Sequence, residues 1–226
     1  MNKQLKISLV INIIIAILVV FSTISMFTGF EFMGHSEMSL TSTKIEMFKF
    51  FTVDSNILMG IISLIFLIKE CKMIKNNEFK ISKNMAIWKL VGTVGVTLTF
   101  LTTAFYLAPF APYGYFSLFL NANLFFHLVV PLLSIISFAF LENNEEISFR
   151  ESFLGMIPML IYAIFYIVNV IVHFENGDVP YKYDFYGFVK GDLWTISISA
   201  GIMIFFTFLI SLSLWGINKK LSKKGE

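Results

Sequence analysis

Six long apolar runs, separated by short polar stretches, dominate the pattern of this chain. They cover the following residues: 7–30, 48–68, 85–108, 118–140, 153–174 and 193–217. At a rise of about 1.5 Å per residue, each run forms a helix about as long as the 30 Å hydrocarbon core of a bilayer. Helices satisfy their own backbone hydrogen bonds in lipid. The pattern therefore predicts an all-α, polytopic membrane protein, with residues 1–226 forming a single six-helix transmembrane domain.

Composition and charge support this prediction and give it an orientation. The chain is 57% hydrophobic and only 14% charged, which is too apolar for the surface of a soluble domain. Thirteen basic residues lie at the N terminus, in the second and fourth loops and in the tail, against four in the other loops. Basic residues are retained on the cytoplasmic side. We expect both termini in the cytoplasm, a multi-pass protein of the bacterial inner (plasma) membrane, and no nucleic-acid partner.

The segment FTVDSN, residues 51–56, places four polar side chains in the second apolar run. An ionisable residue at membrane depth costs about 2.5–3.5 kcal/mol on insertion scales, so such residues are usually functional. At 100° per residue, Thr52, Ser55 and Asn56 share one helix face, whereas Asp54 points away from Thr52. Serine and threonine in membrane helices also bond to their own backbone or promote packing, so a purely structural role stays open.

The start of the second helix is predicted from Thr43 and Glu46, which have the spacing of a capping box. On this interpretation the helix begins before its apolar run, and Thr52 lies about two turns inside it.

Two further polar stripes lie on the fourth and fifth helices. Asn123 and His127 are one helical turn apart on the fourth, and Asn169 and His173 are one turn apart on the fifth. His127 is about ten residues into its run, close to the middle of the membrane, where a lone imidazole needs a partner or a function. All three stripes are expected to approach from the extracytoplasmic side, where the loop residue Asp184 also lies.

Three segments carry a resemblance to a known family. They are FKFFTVDSN at the second helix, NANLFFHLVVPLLS in the fourth and PYKYDFYG before the sixth. In this order, with six helices, they resemble the androgen-induced-protein family and are most similar to its uncharacterised bacterial members. The animal members hydrolyse fatty-acid esters of hydroxy fatty acids inside the membrane. The resemblance implies Thr52 as nucleophile and His127 as base, which is sensible because a threonine hydroxyl needs a nearby base to react.

The sequence therefore favours an intramembrane lipid-ester hydrolase acting on a membrane lipid or fatty-acyl substrate. An acyltransferase that passes the acyl group to an alcohol, a lipid or small-molecule binder or transporter, and a purely structural membrane protein stay open. No cofactor, metal or protein partner is expected. The candidate supporting or pocket residues are Asp54, Ser55, Asn56, Asn123, Asn169, His173 and Asp184.

Overall fold

The prediction of six membrane helices is confirmed by the computed structural model of the chain. The structure describes residues 3–34, 42–76, 81–142, 147–175, 177–189 and 193–222. Six helices in these ranges are long and apolar enough to cross a membrane, and the described residues contain no β-strand. The lysines at positions 80, 190, 223 and 224, which entered the orientation argument, lie outside the described residues.

The helices follow one another in antiparallel order. Their bounds are α1 Lys3–Thr28, α2 Phe51–Asn76, α3 Lys83–Phe110, α4 Ala122–Leu141, α5 Phe149–Val172 and α6 Leu193–Ser222. We call one end of the bundle the outer end, after the predicted topology; it holds the start of α2 and the end of α5. The opposite end, where α2 ends and α3 begins, is the inner end. The orientation itself remains a prediction.

The predicted start of α2 is wrong. Thr43 makes no side-chain capping bond, and Lys44–Lys49 form a separate 3₁₀ helix. Phe50 then adopts an extended backbone, with φ −94° and ψ 129°, so the α-helix begins only at Phe51. An extended residue cannot continue a helix. Thr52 therefore lies in the first turn of α2 and not two turns inside it.

The core of the bundle is α3, with 67% of its most apolar window buried, against 22% for α6. Small residues let its neighbours approach, as is usual where lipid provides no hydrophobic driving force. A Cβ placed on Gly155 of α5 would lie 2.9 Å from Val94 of α3 and 2.3 Å from the hydroxyl oxygen of Ser211 in α6. Three helices therefore meet around Gly155.

Candidate functional site

The polar face of α2 points into the bundle, as the helical spacing predicted. Ser55 and Asn56 are buried, Thr52 is half-buried, and Asp54 is exposed on another side of the helix. The Ser55 hydroxyl lies 3.2 Å from the backbone carbonyl of Thr52 and 3.2 Å from the hydroxyl of Thr99 in α3. The expected separation of Asp54 from the other three residues is therefore observed.

The helix α4 carries His127 in a widened, π-helical turn that spans Phe125–Val129. Because α4 begins at Ala122, His127 lies in the second turn, nearer the outer end than the middle-of-membrane position predicted from the sequence. Single π-turns of this kind occur often at functional sites. Asn123 lies one turn before His127 and is also buried, with 1% of its surface exposed.

The imidazole of His127 has a defined orientation. Its Nδ1 lies 2.7 Å from the carbonyl oxygen of Leu118, its ring packs edge-on against Phe119 at 6.3 Å, and only 9% of the residue is exposed. A carbonyl oxygen can only accept, so Nδ1 must donate its hydrogen. In a neutral imidazole this leaves the lone pair on Nε2, which is the arrangement of a general base.

The polar faces of α2 and α4 are joined by one side chain. The amide nitrogen of Asn56 donates to the carbonyl of Thr52 at 2.8 Å and to the carbonyl of Phe126, the residue before His127, at 3.1 Å. The side-chain oxygen of Asn56 is buried and has no hydrogen-bond partner within the described chain. One amide thus fixes the turn that carries Thr52 against the turn that carries His127.

The polar stripe of α5 contacts the loop between α5 and α6. Asn169 donates to the carbonyl of Tyr183 at 2.8 Å, and the imidazole of His173 stacks on the ring of Tyr183 at 3.5 Å. Asp184 accepts bonds from the Tyr166 hydroxyl and from the amides of Phe188 and Val189. These contacts explain Asn169, His173 and Asp184 as residues that fix the loop between α5 and α6. At the outer end, the stripe of α5 therefore contacts this loop, whereas the stripes of α2 and α4 are joined through Asn56.

A cleft of about 350 Å³ lies at the outer end, between the start of α2 and α5. Asp54 lines it together with Tyr162, Tyr166 and Asn169, and neither Thr52 nor His127 does. Asp54 therefore faces a separate outer cleft. Nearby, burial raises the pKa of the Tyr186 phenol, whose oxygen accepts a hydrogen bond from the backbone amide of Phe51 at 3.1 Å.

A second polar group, which the polar stripes of the sequence did not reveal, lies at the inner end, and we call it the inner polar cluster. It consists of Ser8 and Asn12 of α1, Glu70 of α2, Lys89 of α3, Ser137 near the end of α4, and Glu142 directly after it. No member is more than 1% exposed. Lys89 is one of the thirteen basic residues that we assigned to the cytoplasmic side, around the second loop, but its side chain is fully buried in α3. Its position inside the apolar run 85–108 was the signal that could have revealed it.

Comparison with known proteins adds no assignment. The chain has no significant match among known protein families, curated proteins or solved structures.

Proposed function

We propose that this protein is an intramembrane hydrolase of fatty-acyl esters, with Thr52 as nucleophile and His127 as base. The observation that carries the proposal is the bond between His127 Nδ1 and the Leu118 carbonyl, which leaves Nε2 free to accept a proton. The Asn56 bridge supports it, because this bridge ties the Thr52 turn to the turn that carries His127. Within the described chain the Thr52 hydroxyl makes no hydrogen bond of its own.

The proposed reaction has two steps that share the same two residues. Nε2 of His127 takes the hydroxyl proton of Thr52 while Oγ attacks the ester carbonyl carbon. The ester C–O bond breaks, the leaving alcohol takes the proton from His127, and an acyl-threonine remains. Water then loses a proton to His127 and attacks the acyl carbon; the bond from this carbon to Thr52 Oγ breaks, Oγ takes the proton from His127, and the fatty acid is released. An alcohol in place of water would make the same site an acyltransferase.

A covalent probe tests this proposal. The purified protein in lipid nanodiscs is treated with an alkyl fluorophosphonate, and the labelled residue is identified by mass spectrometry. We expect the label on Thr52, none on the Thr52→Ala variant, and labelling that is about 10²- to 10⁴-fold slower in His127→Ala, the usual size of general-base catalysis. Thr52→Ser should still be labelled because it keeps a hydroxyl group.

The matched control is Thr207→Val. Thr207 is a buried hydroxyl of α6 that bonds to the Met203 carbonyl of its own helix at 2.7 Å. Its removal should leave labelling unchanged. Equal labelling of the parent protein and of Thr52→Ala, in variants with unchanged thermal unfolding, would refute the assignment.

A further inference from the structure

The inner polar cluster holds two carboxyl groups and one ammonium group, all without exposed surface. The ionisable groups that face Glu70 are Glu142 and Lys89, and α1 contributes only the neutral side chains of Ser8 and Asn12. If both carboxyl groups were ionised, one negative charge would be buried without a partner. Buried charges are otherwise paired, so one carboxyl group is expected to hold a proton.

The hydrogen bonds around Glu142 identify it as the ionised carboxylate. Its Oε1 lies 3.0 Å from the Lys89 ammonium, 2.9 Å from the Asn12 amide nitrogen and 2.6 Å from the Ser137 hydroxyl. Ammonium and amide nitrogens only donate, so this oxygen already accepts several bonds and forms an ion pair. Lys89 also donates to the Asn12 carbonyl oxygen at 2.5 Å, which fixes which way the amide of Asn12 points.

The contacts of Ser8 place the proton on Glu70. Its hydroxyl oxygen lies 2.8 Å from Glu142 Oε1 and 2.5 Å from Glu70 Oε1. A serine hydroxyl has a single hydrogen and cannot donate to both oxygens. Since Glu142 Oε1 is an acceptor, Ser8 donates to it, and Glu70 Oε1 must donate to Ser8. The other oxygen of Glu70 accepts from the Asn12 amide at 3.2 Å. With this arrangement the cluster is neutral.

We propose that the inner polar cluster is a proton-binding site, in which a proton on Glu70 is hydrogen-bonded through Ser8 to Glu142. The same contacts form a relay. When the Glu70 proton moves to Ser8 Oγ and the Ser8 proton moves to Glu142 Oε1, each broken O–H bond is replaced by one new O–H bond. Glu142 Oε2 is buried and has no hydrogen-bond partner in the described residues, so this carboxylate keeps one open acceptor. Buried ionisable groups of this kind mark proton pathways in membrane proteins.

Infrared spectroscopy of the full chain in lipid nanodiscs tests the site. A protonated carboxyl group has a C=O stretch that is separate from the carboxylate bands. We expect this band near neutral pH in the parent protein and its loss in Glu70→Gln. The band should also be lost in Glu142→Gln, because Glu70 is then the carboxyl group of the cluster that pairs with the buried ammonium of Lys89. In Ser8→Ala the band should move to higher frequency because the acceptor is gone. Asp54→Asn is the matched control, since it removes an intramembrane carboxyl group far from the cluster.

The outcomes separate a proton site from a static neutral residue. Glu70→Gln should fold like the parent protein, because its amide keeps a neutral donor toward Ser8; a strongly destabilised variant would overturn the assignment. So would a band that survives in Glu70→Gln, or one unmoved in Ser8→Ala. Transfer of the folded parent protein to D₂O should shift the band as the proton exchanges. A band that never shifts would show that the cluster does not exchange protons with water.

Discussion

Replacing Lys89 by Met should remove the charge that holds the inner polar cluster together. The ammonium lies 3.0 Å from Glu142 Oε1, and both side chains are completely buried. It also lies 4.6 Å from the centre of the Phe66 ring, a cation–π contact. At an effective dielectric constant of about 20, two unit charges at this separation attract by about 5 kcal/mol.

Breaking a buried pair by removing one partner costs about 3–5 kcal/mol, because the other charge is left without compensation. We expect Lys89→Met to lower the free energy of unfolding by this amount. The double variant Lys89→Met, Glu142→Gln should recover most of the loss, since it removes both charges. Denaturant titration in mixed micelles, followed by the fluorescence of the three tryptophans, measures each value.

A matched control lies on the same helix. Lys83, the first residue of α3, pairs with Glu151 at 2.8 Å, but both side chains are partly exposed. Exposed pairs contribute little to stability, so Lys83→Met should unfold nearly like the parent protein. Equal effects of Lys83→Met and Lys89→Met, or a double variant no more stable than Lys89→Met, would refute the reasoning.

Two further substitutions test the packing and the outer loop. Gly155→Ala should lower the free energy of unfolding by about 1–3 kcal/mol, because the new methyl group would overlap the Ser211 hydroxyl; Gly201→Ala, which has open space, should not, and thermal unfolding compares them. Asp184→Asn removes the carboxylate that accepts the Phe188 amide at 2.9 Å, so this amide should exchange its hydrogen faster. Unchanged exchange, measured by mass spectrometry, would contradict the role of Asp184 in fixing the loop.

The hydrophobic pattern was sufficient to predict the helices, since each apolar run is long enough to span lipid and can only do so as a helix. It was not sufficient to predict where α2 begins. The spacing of Thr43 and Glu46 is a local signal, whereas the break depends on the extended backbone of Phe50. The start of a helix is therefore less predictable from local spacing than its existence.

The candidate site was predictable in part. Helical spacing separated Asp54 from Ser55 and Asn56, because the geometry of a single helix determines which of its residues share a face. The Asn56 bridge to α4 and the bond that orients His127 depend on contacts between segments distant in sequence, which spacing within one helix does not encode. The inner polar cluster is still harder to predict from the sequence, because its residues come from four helices and from Glu142, directly after α4.

The ion pair between Lys89 and Glu142 also constrains how the chain is assembled. The two residues are 53 positions apart, so during synthesis the lysine enters the membrane well before its carboxylate partner exists. Membrane helices insert individually and then associate. Before α4 is inserted, two groups of the cluster are already available to Lys89: the carboxyl group of Glu70 in α2, and Asn12 of α1, whose carbonyl oxygen the ammonium contacts at 2.5 Å. The first two helices therefore provide the polar surroundings of this charge during assembly, and its ion pair forms only after the fourth helix and the Glu142 that follows it have been inserted.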